Sequence, residues 1–122
     1  MEETRKTFYI NNQEIRACGF LFYKIVDNNV LLLLQRETYD KEWQDIGGKC
    51  CMADETVMDT AMREMKEETN DGIKITKEEV MNRIVTEIYH PRAKYMCYVV
   101  NAQKLRINFR KIGWKENYQN KQ

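Results

Sequence analysis

The stretch Asp45–Thr69, DIGGKCCMADETVMDTAMREMKEET, constrains this chain more than any other. It combines a Gly-Gly turn, a short connector and one strong helix. Thr56 with Asp59 three residues on predicts the helix start, as a capping box with Asp in place of Glu or Gln. Met58, Ala61, Met62 and Met65 recur at helical spacing and predict the core face. The far end of the helix carries Glu64, Glu67 and Glu68. Residues three and four apart on a helix are neighbours, so Glu64 faces both of the others, at about 0.2–0.5 kcal/mol per like-charged pair. The macrodipole also disfavours anions at that end. A shared divalent cation removes the penalty. Hard cations such as Mg²⁺ prefer oxygen ligands and commonly bridge carboxylates to substrate phosphates. The competing reading is a solvated Glu-rich face softened by Arg63 and Lys66. Arg63 is flanked at i−4 and i+4 by Asp59 and Glu67 and could simply pair with them.

Gly48, Glu55 and Arg63-Glu64-Met65-x-Glu67-Glu68 together resemble the signature box of the Nudix hydrolases. That box runs Gly, five residues, Glu, seven residues, then Arg-Glu-apolar-x-Glu-Glu-x-Gly. Glu55 to Arg63 has this spacing, and the REMKEE core is intact. Trp43, three residues, then Gly47-Gly48-Lys49 resembles the segment that often precedes the box. There are three departures. Six residues separate Gly48 from Glu55, unless Asp54 takes the acidic place. The closing Gly is Asn70, the next best residue for the left-handed conformation that ends a helix. The Pro that often precedes the Gly pair is Ile46.

The resemblance implies an α+β fold, a mixed β-sheet sandwiched between α-helices. It implies hydrolysis of a diphosphate bond in a nucleotide-like substrate, with Mg²⁺ or Mn²⁺ as cofactor. Glu67 and Glu68 are the expected metal ligands, with help from the carbonyl of Gly47. Glu64 is expected as a third ligand or as the base that takes the proton of the attacking water. Arg63 would orient a working carboxylate. Glu55 and Gly48 are expected in structural or outer-ligand roles. Lys49 and Trp43 are candidate substrate contacts, against the plainer readings of a solvated lysine and a core plug.

A chain of 122 residues is one domain, residues 1–122. Its formal net charge of +1 points to no partner, but the distribution is uneven. Residues 1–87 hold 12 Lys/Arg and 18 Asp/Glu, whereas residues 88–122 hold 8 and 1. The acidic part contains the candidate metal site, and the basic part is either a phosphate-facing surface or a solvated one. Cys18 and Cys97 lie in apolar, strand-like runs and read as buried small hydrophobes. Neighbouring Cys50 and Cys51 are awkward for a mutual disulfide, which suggests a reducing, intracellular and cytoplasmic setting. No signal-peptide pattern opens the chain, and the apolar run Val30–Leu34 is too short to span a bilayer.

In chain order, a short strand is expected at Phe8–Ile10 and a strand at Ile15–Val26, with a turn at Asp27-Asn28-Asn29. Val30–Gln35 carries four consecutive leucines and is expected as a strand buried on both faces. Arg36–Asp45 reads as a polar loop. After the metal helix, Ile73–Ile75 reads as a short strand and Thr76–Asn82 as one helical turn. Ile84–Tyr89 and Lys94–Asn101 read as a hairpin over His90–Ala93, with His90 a surface residue. Leu105–Trp114 reads as a last strand.

Two absences qualify the resemblance. Many relatives place a further carboxylate, sometimes the base, on a late loop. Between Ile88 and Lys115 there is no Asp or Glu, and Glu116 is the sole candidate. Family domains also usually close with a helix, and Lys115–Gln122 is too short and polar to supply one. An uncovered sheet face would favour a homodimer. Two other functions therefore stay open. One is a catalytically weak or inactive nucleotide- or RNA-binding module. The other is an RNA cap-cleaving enzyme that uses the basic tail Lys104–Lys121, ranked below small nucleotides because only Phe109, Trp114 and Tyr118 offer stacking surfaces.

Overall fold

The structure, a computed structural model, describes residues 4–36 and 42–108. Nine strands and two helices are assigned among them: β1 (Phe8–Ile10), β2 (Gln13–Ile15), β3 (Ala17–Val26), β4 (Asn29–Leu33), β5 (Gln35–Arg36), β6 (Trp43–Gln44), β7 (Ile46–Lys49), α1 (Val57–Glu68), α2 (Lys77–Arg83), β8 (Ile84–His90) and β9 (Tyr95–Asn101). The expected mixed sheet is present, with two helices.

Strand β3 organises the sheet. One edge pairs in parallel with β9 along Ala17–Tyr23. The other edge takes two antiparallel partners in turn: β7 against Ala17–Phe20 and β4 against Phe22–Val26. β8 pairs antiparallel with β9. The side-chain period of a strand is two, and Cys18, Phe20 and Phe22 on β3 are fully buried together with Met96 and Val100 of β9. They meet Ile46, Val57, Met58, Ala61 and Met65, so α1 covers that face. All four cysteines are buried and free of disulfides. No helix among the described residues is long and apolar enough to cross a membrane.

Local signals in the sequence map onto these elements. Thr56 caps α1 through the full capping box with Asp59, a contribution of about 1 kcal/mol. Asn70 and Asp71 take the left-handed conformation, φ 52° and 60°, where the helix ends. Asn11-Asn12 and Asp27-Asn28 are also left-handed and close the two-residue hairpins β1–β2 and β3–β4, as the strand twist demands. Thr76 and Glu79 form a second capping box, which carries α2 to Arg83, beyond the one turn expected.

Four expectations are corrected. The Val30–Leu34 run is not buried on both faces: Val30, Leu31 and Leu32 are 62%, 46% and 50% exposed. β4 is an edge strand paired only with β3, so no neighbouring strand shields it. Ile15–Val26 is broken at Arg16 into β2 and β3. The Gly-Gly pair is not a turn. It is part of strand β7, and neither glycine has positive φ. Finally, Arg36–Asp45 is not wholly loop, because β5 and β6 pair Gln35 with Gln44 and Arg36 with Trp43. Ile107 forms a single bridge to Ile73, and the rest of the expected Leu105–Trp114 strand lies outside the described residues, as do Glu116 and the Lys115–Gln122 tail.

Candidate active site

The C-terminal half of α1 lies over β7, and the two elements meet through the Gly-Gly pair. A β-carbon added to Gly48 would overlap the carboxylate of Glu64. The absent side chain at position 48 is what lets that carboxylate rest against the strand. One turn on, Glu68 Oε1 accepts a hydrogen bond from the Gly47 backbone N–H at 3.1 Å. The other face of Gly47 is equally crowded: the Tyr95 hydroxyl lies where β-carbons of Gly19 and Gly47 would stand.

Arg63 ties this arrangement to the connector before the helix. Its Nε donates to Asp54 Oδ1 at 3.1 Å and its Nη2 to Asp54 Oδ2 at 2.9 Å. Nη2 also donates to the Lys49 carbonyl and Nη1 to Glu64 Oε2, each at 2.9 Å. One guanidinium thus holds connector, strand and Glu64 in fixed relation, which its planar donor fork suits better than a lysine would. Asp54 Oδ2 accepts two further bonds, from the Cys51 N–H at 2.9 Å and the Thr60 hydroxyl at 2.7 Å. Burial alone would raise the Asp54 pKa. The Arg63, Cys51 and Thr60 donors outweigh it and hold the carboxyl well below the usual range.

Of Asp54 and Glu55, the residue that Arg63 binds is Asp54, which is 4% exposed. Glu55 is an exposed residue whose backbone N–H bonds Asp59. Nor does Arg63 pair with Asp59, which instead caps α1 and meets Lys77 at 2.8 Å. Its contact with Glu67 is long, 3.7 Å.

The three glutamates have different surroundings. Glu64 is held by Arg63. The Glu68 pKa is pushed up to about 7, first by burial, then by the nearby charges of Glu64 and Asp45, against the bonds from Gln35 and Gly47. The Glu67 side chain is 60% exposed. The oxygen donor set suits a hard divalent cation, and the crowding that makes Glu68 reluctant to ionise is what a cation relieves. Among the described residues, the side chains as arranged bring no three such ligands together. Glu64 and Glu68 both rest against β7, at Gly48 and Gly47, whereas the Glu67 side chain is largely exposed.

Trp43 is 40% exposed on β6. Lys49 is exposed beside Gly48, and its carbonyl is used by Arg63. His90 is exposed, 6.0 Å from the Tyr95 ring between centroids. Three residues escaped the sequence reading: Gln35, Asp45 and Tyr95. Tyr95 donates to Asp45 Oδ2 at 2.8 Å, and the Tyr95 pKa is raised by burial and by that carboxylate. These contacts span up to 50 positions in sequence. The doubled glycine was the one available signal, since it marks a strand that something approaches closely.

No curated protein matches the chain. Among solved structures, a C. elegans Ap4A hydrolase binary complex is 22% identical over 77% of this chain and 73% of that one, with a TM-score of 0.48. A second crystal structure, of C. elegans Ap4A hydrolase, is 17% identical over 76% and 74%, with a TM-score of 0.46. The NUDIX domain profile matches residues 16–111, which takes in the sheet, the Gly-Gly strand and the whole of α1, and the chain therefore belongs to the Nudix family of pyrophosphohydrolases.

Proposed function

We propose that the domain hydrolyses a diphosphate bond in a nucleoside diphosphate-linked substrate and uses Mg²⁺ or Mn²⁺ held by Glu64 and Glu68, with Glu67 and the Gly47 carbonyl completing the set. The observation that carries this reading is the seating of two carboxylates from one helix on two adjacent glycines, with Arg63 clamped between Glu64 and Asp54. A bound dication neutralises diphosphate oxygens and lowers the pKa of an attacking water. The chain's own residues do the rest. Arg63 keeps Glu64 oriented, so that Glu64 can accept the water's proton if it is not itself a ligand. Gly47 N–H steadies Glu68. Lys49, exposed next to Gly48, is the proposed phosphate contact, and Trp43, 40% exposed, the proposed contact for a base.

One observation favours a second reading, a nucleotide-binding module with weak turnover: Glu67 points outward and meets only Arg63, at 3.7 Å, among its described ion-pair partners. A panel of dinucleoside polyphosphates, nucleotide sugars and nucleoside triphosphates with Mg²⁺ or Mn²⁺ separates the two. Metal-dependent phosphate products that vanish in Glu68→Gln support the enzyme. Thermal shifts without products support the binder.

A further inference from the structure

Strand β5 supplies a residue to this site that lies outside the signature box. Gln35 is 7% exposed. Its Nε2 donates to Glu68 Oε1 at 2.6 Å and to the Asp45 carbonyl at 3.5 Å. Its Oε1 is the one buried side-chain polar atom without a partner among the described residues. Glu68 Oε1 accepts from the Gly47 N–H as well, and it is the donor end of the amide that faces it. Both N–H groups are then used and the acceptor is left over.

Buried polar atoms are nearly always paired. Gln35 follows four leucines, and another leucine would fill a buried position without stranding an oxygen. The amide is explained by what its donor end does. Gln35 and the Gly47 N–H act on the same oxygen of Glu68 from two different strands, β5 and β7. Two donors on one oxygen fix the tilt of the carboxylate about its last torsion, which is otherwise soft. The partner strand β6 holds Gln35 in register opposite Gln44.

We propose that Gln35 is the positioning residue for Glu68, presenting its carboxylate in the orientation a divalent cation needs. This rests on the reading of Glu68 as a metal ligand. Residues that orient a ligand typically change metal affinity 10–100-fold when removed.

The test is Mn²⁺ binding to the full chain, measured from the free-ion resonance signal, for wild type, Glu68→Gln, Gln35→Met and Gln35→Asn. Met keeps the volume without the donor, and Asn keeps the amide but is one methylene too short. Both should melt near the wild type without metal, yet bind Mn²⁺ about tenfold more weakly. Excess Mn²⁺ should restore the stoichiometry. At saturating Mn²⁺ the KM for a hydrolysed diphosphate should stay within twofold, whereas a residue acting only through the fold would shift melting and KM together. If wild type and Glu68→Gln bind Mn²⁺ alike, the metal reading fails and Gln35 falls with it. If Glu68→Gln loses binding while both Gln35 variants keep it, only the role of Gln35 is overturned. If neither Gln35 variant folds, the residue is a fold determinant and the inference is equally overturned.

Discussion

Arg63 and Asp54 are joined side-on, Nε to Oδ1 and Nη2 to Oδ2, with the aspartate almost wholly buried. This pair fastens the connector to the helix and leaves one guanidinium nitrogen for Glu64. Removing one partner of a buried pair strands the other, at about 3–5 kcal/mol. Because Arg63 is a quarter exposed, Asp54→Ala is expected to fall below that range, at about 2–3 kcal/mol. Glu55→Ala should stay within about 0.5 kcal/mol. Urea unfolding of the two variants decides between them, and turnover should fall only in the first.

The same aspartate sets the acid limit. Its folded pKa is depressed, so its stabilisation is present above the unfolded carboxylate value of about 3.9 and is lost as pH falls from there toward the lower folded value. Melting between pH 2 and 7 should show a steep acid decline in wild type and a shallower one in Asp54→Asn.

Glu68 carries the opposite sign. Its folded pKa of about 7 lies above the unfolded value near 4.3, so its contribution is complete below that value and is lost as pH rises through 7. Metal-free protein should therefore become less stable from about pH 4 to pH 8. Glu68→Gln, which can keep the acceptor for Gln35 and Gly47, should remove that slope and melt about 4 °C higher at pH 8, an effect on the order of 1 kcal/mol. A melting curve measured at each pH without metal checks this, and an unchanged slope would rule out Glu68 as its source.

The two glycines of β7 should respond differently to alanine. At Gly48 the new methyl meets the flexible end of Glu64, so the fold should survive while the carboxylate is displaced and turnover drops. At Gly47 it meets Cys18 and Gly19 backbone as well as the Tyr95 hydroxyl, and nothing can easily yield. Gly47→Ala should cost about 3 kcal/mol, the upper end of what overpacking typically costs. Circular dichroism melting with a turnover assay distinguishes the pair.

What the sequence showed plainly was local. The capping box at Thr56 and Asp59, the methionine face of α1 and the left-handed end at Asn70 each depend on residues within one or two turns. The glutamate cluster was legible for the same reason, although not that its members face different surroundings. What failed depended on the partner. Val30–Leu32 reads as a central strand, yet position in the sheet decides burial and β4 is at the edge. The parallel pairing of β3 with β9 joins segments some 78 residues apart, for which no spacing rule exists. Gln35 lay at the end of a leucine run and Asp45 before the box, and only folding brings both to Glu68. Spacing singled out Glu55, whereas the buried partner of Arg63 is Asp54.

Glu64 and Glu68, seated on Gly48 and Gly47, are proposed to hold a divalent cation. Anomalous diffraction from crystals soaked in Mn²⁺ tests it most directly. A manganese peak within bonding distance of oxygens from both glutamates, lost in Glu68→Gln, is the predicted result. A map with no peak there at millimolar Mn²⁺, in crystals of protein that still turns over a diphosphate substrate, would contradict it.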